Sequence, residues 1–137
     1  MAATLILEIV TPEAKVYSDV VEVVVVPGAE GELGIMPMHI PLLTELKPGV
    51  LKISKAGQET YFAVGEGFVE ITQESVTILT DMALTEKEID EQKVKEAMAR
   101  AQARIKEPNL TNEEVATVEA TIEKSLAQLH LKHRRRG

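Results

Sequence analysis

Residues 32–49 read ELGIMPMHIPLLTELKPG, from Glu32 to Gly49. The stretch holds Gly34, the prolines Pro37, Pro41 and Pro48, one histidine, His39, and the apolar Ile40, Leu42 and Leu43. Glycine and proline at this density interrupt a helix and the centre of a sheet alike, because proline lacks the backbone donor and fixes φ. The segment therefore reads as an irregular rim between strands, carrying one titratable ring.

On either side of it the pattern is that of strands. Leu5–Val10 is a short branched-apolar run ended by Pro12, and Val16–Val26 is strand-like, with Val20-Val21 and Val23–Val26 nearly continuous, which predicts a strand buried on both faces. Pro27-Gly28 is a turn signal. Val50–Ser54 alternates, and Lys55-Ala56-Gly57 turns it back into Glu59–Val64. After Gly65-Glu66-Gly67, Phe68–Thr72 and Val76–Thr80 form a last pair. Short strands with turns at this spacing predict an all-β sandwich or barrel.

At Thr85 the pattern changes. Thr85-Glu86-Lys87-Glu88 has the form of a capping box and predicts a helix start. Ile89, Val94, Ala97, Met98, Ala101 and Ile105 follow at helical spacing, and Pro108-Asn109 ends the run. Thr111-Asn112-Glu113-Glu114 is a second capping box, followed by Val115, Val118, Ile122, Leu126 and Leu129. So short a connection sets the helices antiparallel. The expected architecture is an all-β sandwich or barrel domain, residues 1–84, followed by an antiparallel two-helix hairpin, residues 85–137. Its alanine- and valine-rich seam is too thin for a free hairpin to be stable, so it must rest on the β domain or on another protein.

Charge divides at the same place. Through Leu84 there are 4 lysines against 12 acids, a net charge of −8; from Thr85 onward 11 bases meet 10 acids, for +1. The acidic first part argues against a nucleic-acid surface. The 137 residues contain no cysteine, which excludes disulfides and thiolate chemistry. No apolar run approaches the ~20 residues of a spanning helix, and MAATLILEIV lacks the basic start and cleavage site of a secretory signal, so the expected location is inside the cell without direct membrane insertion. Gly28, Gly31 and Gly34 recur at steps of three, which is turn geometry and not a dinucleotide or P-loop fingerprint. His39 has no partners at metal-ligand or triad spacing, so neither a metal site nor a catalytic residue is expected. The final Leu131–Arg136 run concentrates positive charge in Lys132, Arg134, Arg135 and Arg136; a solvated terminus and an acidic protein partner both fit it.

The run GELGIMPMHIPLLT, residues 31–44, resembles the signature of the epsilon subunit of bacterial F-type ATP synthases, in which a G-x-x-G turn precedes H-x-P-L-L-T. The Gly-Glu-Gly before Phe-Val-Glu-Ile-Thr and the pair Ile89-Asp90 also fit. The resemblance implies a non-catalytic rotor subunit that binds the gamma subunit, forms the foot of the central stalk and touches the ring of c subunits. Glu32 and His39 match positions on the ring-facing rim. It further implies a hairpin that extends along gamma to block ATP hydrolysis, with Lys132, Arg134, Arg135 and Arg136 meeting acidic segments of beta within the alpha and beta assembly. The implied place is the cytoplasmic face of the bacterial plasma membrane, held there by the complex.

No cofactor is required by this reading, but ATP is a candidate regulatory ligand. Some family members bind it through an I/L-D-x-x-R-A motif, which this chain matches in part: Ile89 and Asp90 fit, Lys93 replaces the arginine and Val94 the alanine, and Arg100 lies two turns on. Lysine keeps the charge but loses the planar fork. Two rival readings are an unrelated β binding module with a dimerising hairpin, and a small enzyme, for which no convergent catalytic cluster is visible.

Overall fold

A computed structural model describes residues 3–134. Ten strands come first: β1 (Leu5–Val10), β2 (Lys15–Val21), β3 (Val23–Gly28), β4 (Gly31–Ile35), β5 (Leu42–Leu46), β6 (Gly49–Lys55), β7 (Gln58–Val64), β8 (Gly67–Ile71), β9 (Ser75–Thr80) and β10 (Ala83–Leu84). A 3-10 turn, Glu86–Glu88, leads to α1 (Glu91–Arg104) and α2 (Asn112–His133).

The strands form one sheet in the order β10-β7-β6-β3-β5-β8-β9-β1-β2, with β4 paired to β3. All pairings are antiparallel except β1 with β9. The sheet folds over at β3, which meets β5 at a single residue pair, Gly28 with Leu46. Two layers result, and the period-two alternation of each strand fills the space between them. Leu5, Leu7 and Ile9 of β1, beside Val69, Ile71, Val76 and Ile78 of the neighbouring β8 and β9, pack with Val24 and Val26 of β3 and Leu51 and Ile53 of β6 in one buried cluster. Tyr17 and Phe62 meet edge to face, with centroids 5.6 Å apart, and join β2 to β7 across the open side. Lys55 pairs with Asp19 at 2.7 Å on the same side. Hydrogen bonding to Lys55 holds the Asp19 carboxyl below the usual carboxylate range.

The predicted sandwich with a helical hairpin is present, and several details differ from the sequence reading. The valine run from 16 to 26 is two strands that part at Glu22. Val21, Val24 and Val26 point inward, whereas Val16 and Val20 are exposed, so β2 is buried on one face only. Pro27 and Gly28 remain in β3, the Pro27 carbonyl accepting from Lys47 N–H, and the chain turns at Ala29-Glu30. Within residues 32–49 only 36–41 and the link 47–48 lie outside the strands. The Ala56-Gly57 turn has positive φ at both residues, 50° and 78°, as a two-residue hairpin requires. The strand β10 carried too short a pattern to be seen.

The first helix begins later than Thr85. Glu88 does bind back, its carboxylate accepting the Thr85 backbone N–H and hydroxyl, but the turn it closes is 3-10. Asp90 is the α-helical N-cap, accepting from Lys93 N–H at 3.2 Å. Thr111 caps α2 as predicted, with Thr111 Oγ1 accepting from Glu114 N–H and the Glu114 carboxylate accepting from Thr111 N–H. A second buried cluster of Ala63, Ile89, Val94 and Leu131 fixes the hairpin to the outer face of β6 and β7. Leu126, expected in the seam, is exposed; α2 buries Val118, Ser125, Ala127 and Leu131 instead, because it packs against both α1 and the sheet.

Candidate functional site

Three surfaces bear on function. The first is the rim. Pro37 and Met38 make a turn in which Met38 takes φ of 66°, and Met38 N–H donates to Gln73 O, anchoring the loop to the turn between β8 and β9. Held this way, Met36, Met38 and Ile40 project their apolar side chains into solvent, Ile40 at 80% exposure. Glu32 is an exposed residue of β4 and lines a concavity of ≈ 400 Å³ with Leu33, Leu42 and Thr44. His39 is half-buried, and its Nδ1–H donates to Ile40 O at 2.7 Å. The two residues thus have different surroundings, Glu32 on β4 beside Leu42 and Thr44 and His39 within the loop.

The second surface was missed in the sequence. On the outward face of β5, β8, β9, β1 and β2 stand Leu43, Phe68, Leu79, Ile6 and Val20, each at least 46% exposed. Phe68 lies opposite Leu79, and Ile6 opposite Val20. Apolar residues at both parities of β1, LILEIV, were the available signal: Leu5, Leu7 and Ile9 serve the core, and Ile6 on the other parity is exposed. The row Glu70, Thr77, Glu8 and Ser18 runs between the two pairs, so the face is mixed, with exposed apolar residues on both sides of a polar row.

The third is the last turn of α2 (Leu131–Arg134). Leu131 is fully buried. Lys132 Nζ donates to Glu86 O at 3.2 Å, and His133 Nε2 lies 2.7 Å from Glu91 Oε2. Arg134 lies over the Tyr61 ring, 3.7 Å from its centroid. The Tyr61 hydroxyl donates to Glu59. That carboxylate pushes the phenol pKa up, and Lys95 followed by His133 holds the Glu91 carboxyl low. Of the basic residues singled out at the terminus, Lys132 and Arg134 are placed here; Arg135 and Arg136 lie outside the described residues.

The residues of the partial nucleotide motif have separate situations. Ile89 is buried beneath the hairpin and Asp90 is occupied as a helix cap, while Lys93 and Arg100 are exposed on α1. Among the described residues there is no group of three or more His, Cys, Asp or Glu side chains placed to hold a metal ion, and no helix is long and apolar enough to cross a membrane.

Comparison with known proteins gives this geometry a family. Residues 4–86 match the family of the ATP synthase, Delta/Epsilon chain, beta-sandwich domain, and residues 87–132 that of its long alpha-helix domain. The ATP synthase epsilon chain of Desulforamulus reducens is 44% identical over 77% of this chain and 80% of its own length. That of Laribacter hongkongensis is 38% identical over 93% of this chain and 91% of its own. Among solved structures, a chain of the Euglena gracilis mitochondrial ATP synthase, OSCP/F1/c-ring assembly, shares the fold with a TM-score of 0.82 and 23% identity, over 96% of this chain and 82% of that one. A chain of the Tetrahymena thermophila central stalk/c-ring assembly shares it at 0.63 and 16%, over 93% and 96%. A rim motif, a β-sandwich and a capped helical hairpin in this order, matched along nearly the whole chain, establish that it belongs to the epsilon-chain family of the ATP synthases.

Proposed function

We propose that the chain is a non-catalytic subunit of the rotor of a proton-translocating F-type ATP synthase. In this reading it binds gamma, couples gamma to the ring of c subunits through its rim, and restrains ATP hydrolysis through its hairpin. The observation that carries the reading is the set of exposed apolar side chains on one outer face, Ile6, Val20 and Leu43 nearer the loop of Met36, Met38 and Ile40, and the pair Phe68 and Leu79 farther from it. The opposite outer face of the sandwich is already covered by α2. A partner is needed on one side only, and gamma is the partner the family offers. The rim, at the edge of that face, is then available to the ring, with Glu32 supplying charge and His39 a ring that orders the loop.

Such a chain works peripherally, held at the cytoplasmic face of the membrane by its complex rather than by insertion. ATP enters as a regulatory ligand of the hairpin through Asp90, Lys93 and Arg100, at reduced affinity because Lys93 lacks the arginine fork. Titrating the isolated chain with ATP tests that point, and an unchanged melting temperature at millimolar nucleotide would remove ATP from the account.

The test of the main reading is assembly. Phe68→Glu combined with Leu79→Glu places charge on that outer face while leaving the core cluster intact. The double variant should melt as the native chain does and fail to co-purify with gamma. Retained binding would show that gamma uses another surface.

A further inference from the structure

We infer that the last turn of α2 is the catch that holds the hairpin docked, and that its receptor is Tyr61 of β7 together with Glu91 of α1. The functional consequence rests on the reading of the hairpin as a brake on hydrolysis. The seam between the helices is thin: α1 buries only Val94 and Ala101, and α2 offers Val118, Ser125 and Ala127. At residues 131–134, by contrast, four consecutive residues each make a contact outside α2: Leu131 and Arg134 on β7, Lys132 on the 3-10 turn and His133 on α1. Leu131 enters the second core beside Ala63 and Ile89. Lys132 reaches the carbonyl of Glu86 in the 3-10 turn, His133 reaches Glu91, and Arg134 covers Tyr61.

The catch is built to open. Glu91 is shared, since Lys95 Nζ lies 2.9 Å from the same carboxylate oxygen that faces His133. Lys95 therefore keeps Glu91 partnered when His133 leaves. The Arg134 guanidinium is held by the Tyr61 ring face alone among the described contacts. Both the guanidinium–ring contact and the His133–Glu91 pair are of the weak, partly exposed kind.

A further consequence is that the cations at the end of α2 have two competing uses. Lys132 and Arg134 cannot hold the 3-10 turn and Tyr61 while also meeting an acidic partner. Docking and inhibition are then mutually exclusive occupations of the same side chains. Changes on the receptor side separate the two, because they weaken docking without removing any cation.

The experiment uses the full chain, which has no native cysteine, labelled through Glu74→Cys on the sandwich and Glu123→Cys on α2, both exposed positions. Pulsed spin-label distances report docked and released populations. Tyr61→Leu keeps an apolar side chain against the core but removes the ring face, and Glu91→Gln alters an outward carboxylate on α1. Each should raise the released-to-docked ratio about two- to fivefold, and the pair should raise it further. Rebuilt enzyme carrying either variant should hydrolyse ATP more slowly. Unchanged distance distributions in both variants would overturn the catch. Lengthened distances with unchanged hydrolysis would support the catch and instead remove the reading of the hairpin as a brake.

Discussion

Lys124 Nζ stands 2.7 Å from Asp81 Oδ2, joining the middle of α2 to the turn between β9 and β10. The position of that carboxylate depends on a third residue. A Cβ added to Gly65 would fall 2.0 Å from Asp81 Oδ1, so the glycine leaves the room in which Asp81 turns towards the helix. Gly65→Ala should push the carboxylate aside and loosen α2 without opening the sandwich. Both partners are partly exposed, so the loss should be about 1 kcal/mol or less. Hydrogen exchange gives the check: amides of α2 should lose protection a few-fold, as they should in Lys124→Met, while those of β1 and β9 keep theirs. Unaltered α2 protection in both variants would mean that the pair contributes nothing to docking.

Much of this arrangement was legible in the sequence because its signals were local. Alternation over Val50–Ser54, the Ala56-Gly57 turn and the Thr111 capping box each specify a structure within a few residues. What was not legible depended on distant neighbours. Whether Val20 faces a core or solvent is decided by the strand across from it, and the period-two pattern of β2 is masked by valines on both parities. Leu126 has the spacing of a seam residue, but α2 packs on two surfaces at once and rotates it outward. The rim motif was found through resemblance, while the apolar face of Phe68 and Leu79 emerged only once the strands were in register.

Acid should release α2 from its start. The Glu114 carboxyl is held low first by the Thr111 backbone N–H, then by the Thr111 hydroxyl, with Arg104 adding to it. Glu88 is held low by the Thr85 backbone and hydroxyl, and Glu91 by Lys95 and His133. A lowered folded-state pKa means that the stabilisation is complete above the ordinary carboxylate range and is lost as pH falls through the lowered values. Helical circular dichroism should therefore hold steady from pH 7 to 5 and decline below about 4, ahead of the β signal. Thr111→Ala should cost about 1 kcal/mol at neutral pH by removing the cap and should flatten that acid dependence. A helical signal lost only together with the sheet would count against this order.

The rim should be separable from stability. Glu32 is an exposed residue of β4, and His39 spends its Nδ1–H on the neighbouring Ile40 carbonyl, so neither fills the core. Glu32→Arg and His39→Trp should shift the melting temperature of the isolated chain only slightly, yet lower proton-driven ATP synthesis in reconstituted membranes by weakening the hold of the rotor on its ring. Full synthesis by both variants would show that the ring meets a different surface.

The hairpin should act as a brake through charge as well as bulk. Lys132 and Arg134 are held on the sandwich in the docked state, and Arg135 and Arg136 continue the same run. In an extended hairpin these cations would face acidic segments of beta, where charge-assisted hydrogen bonds form, each contributing ~1 kcal/mol or less at an exposed site. Alanine at all four positions has two opposed effects: it weakens the catch, which favours extension, and it removes the contacts that make extension inhibitory. The second governs the assembled enzyme, because an extended hairpin without charge has lost its attachment. Hydrolysis should rise while synthesis is largely kept, and added salt should produce part of the same change in the native enzyme. A chain ending at Leu84 supplies the reference. Its main core, from Leu5 to Ala83, lies wholly within the remaining strands, so it should melt cooperatively, bind gamma and release hydrolysis fully. Release by truncation but not by the alanine variant would make the brake steric. No release by either would mean that this hairpin does not inhibit, and that its docking on the sandwich serves the stability of the subunit alone.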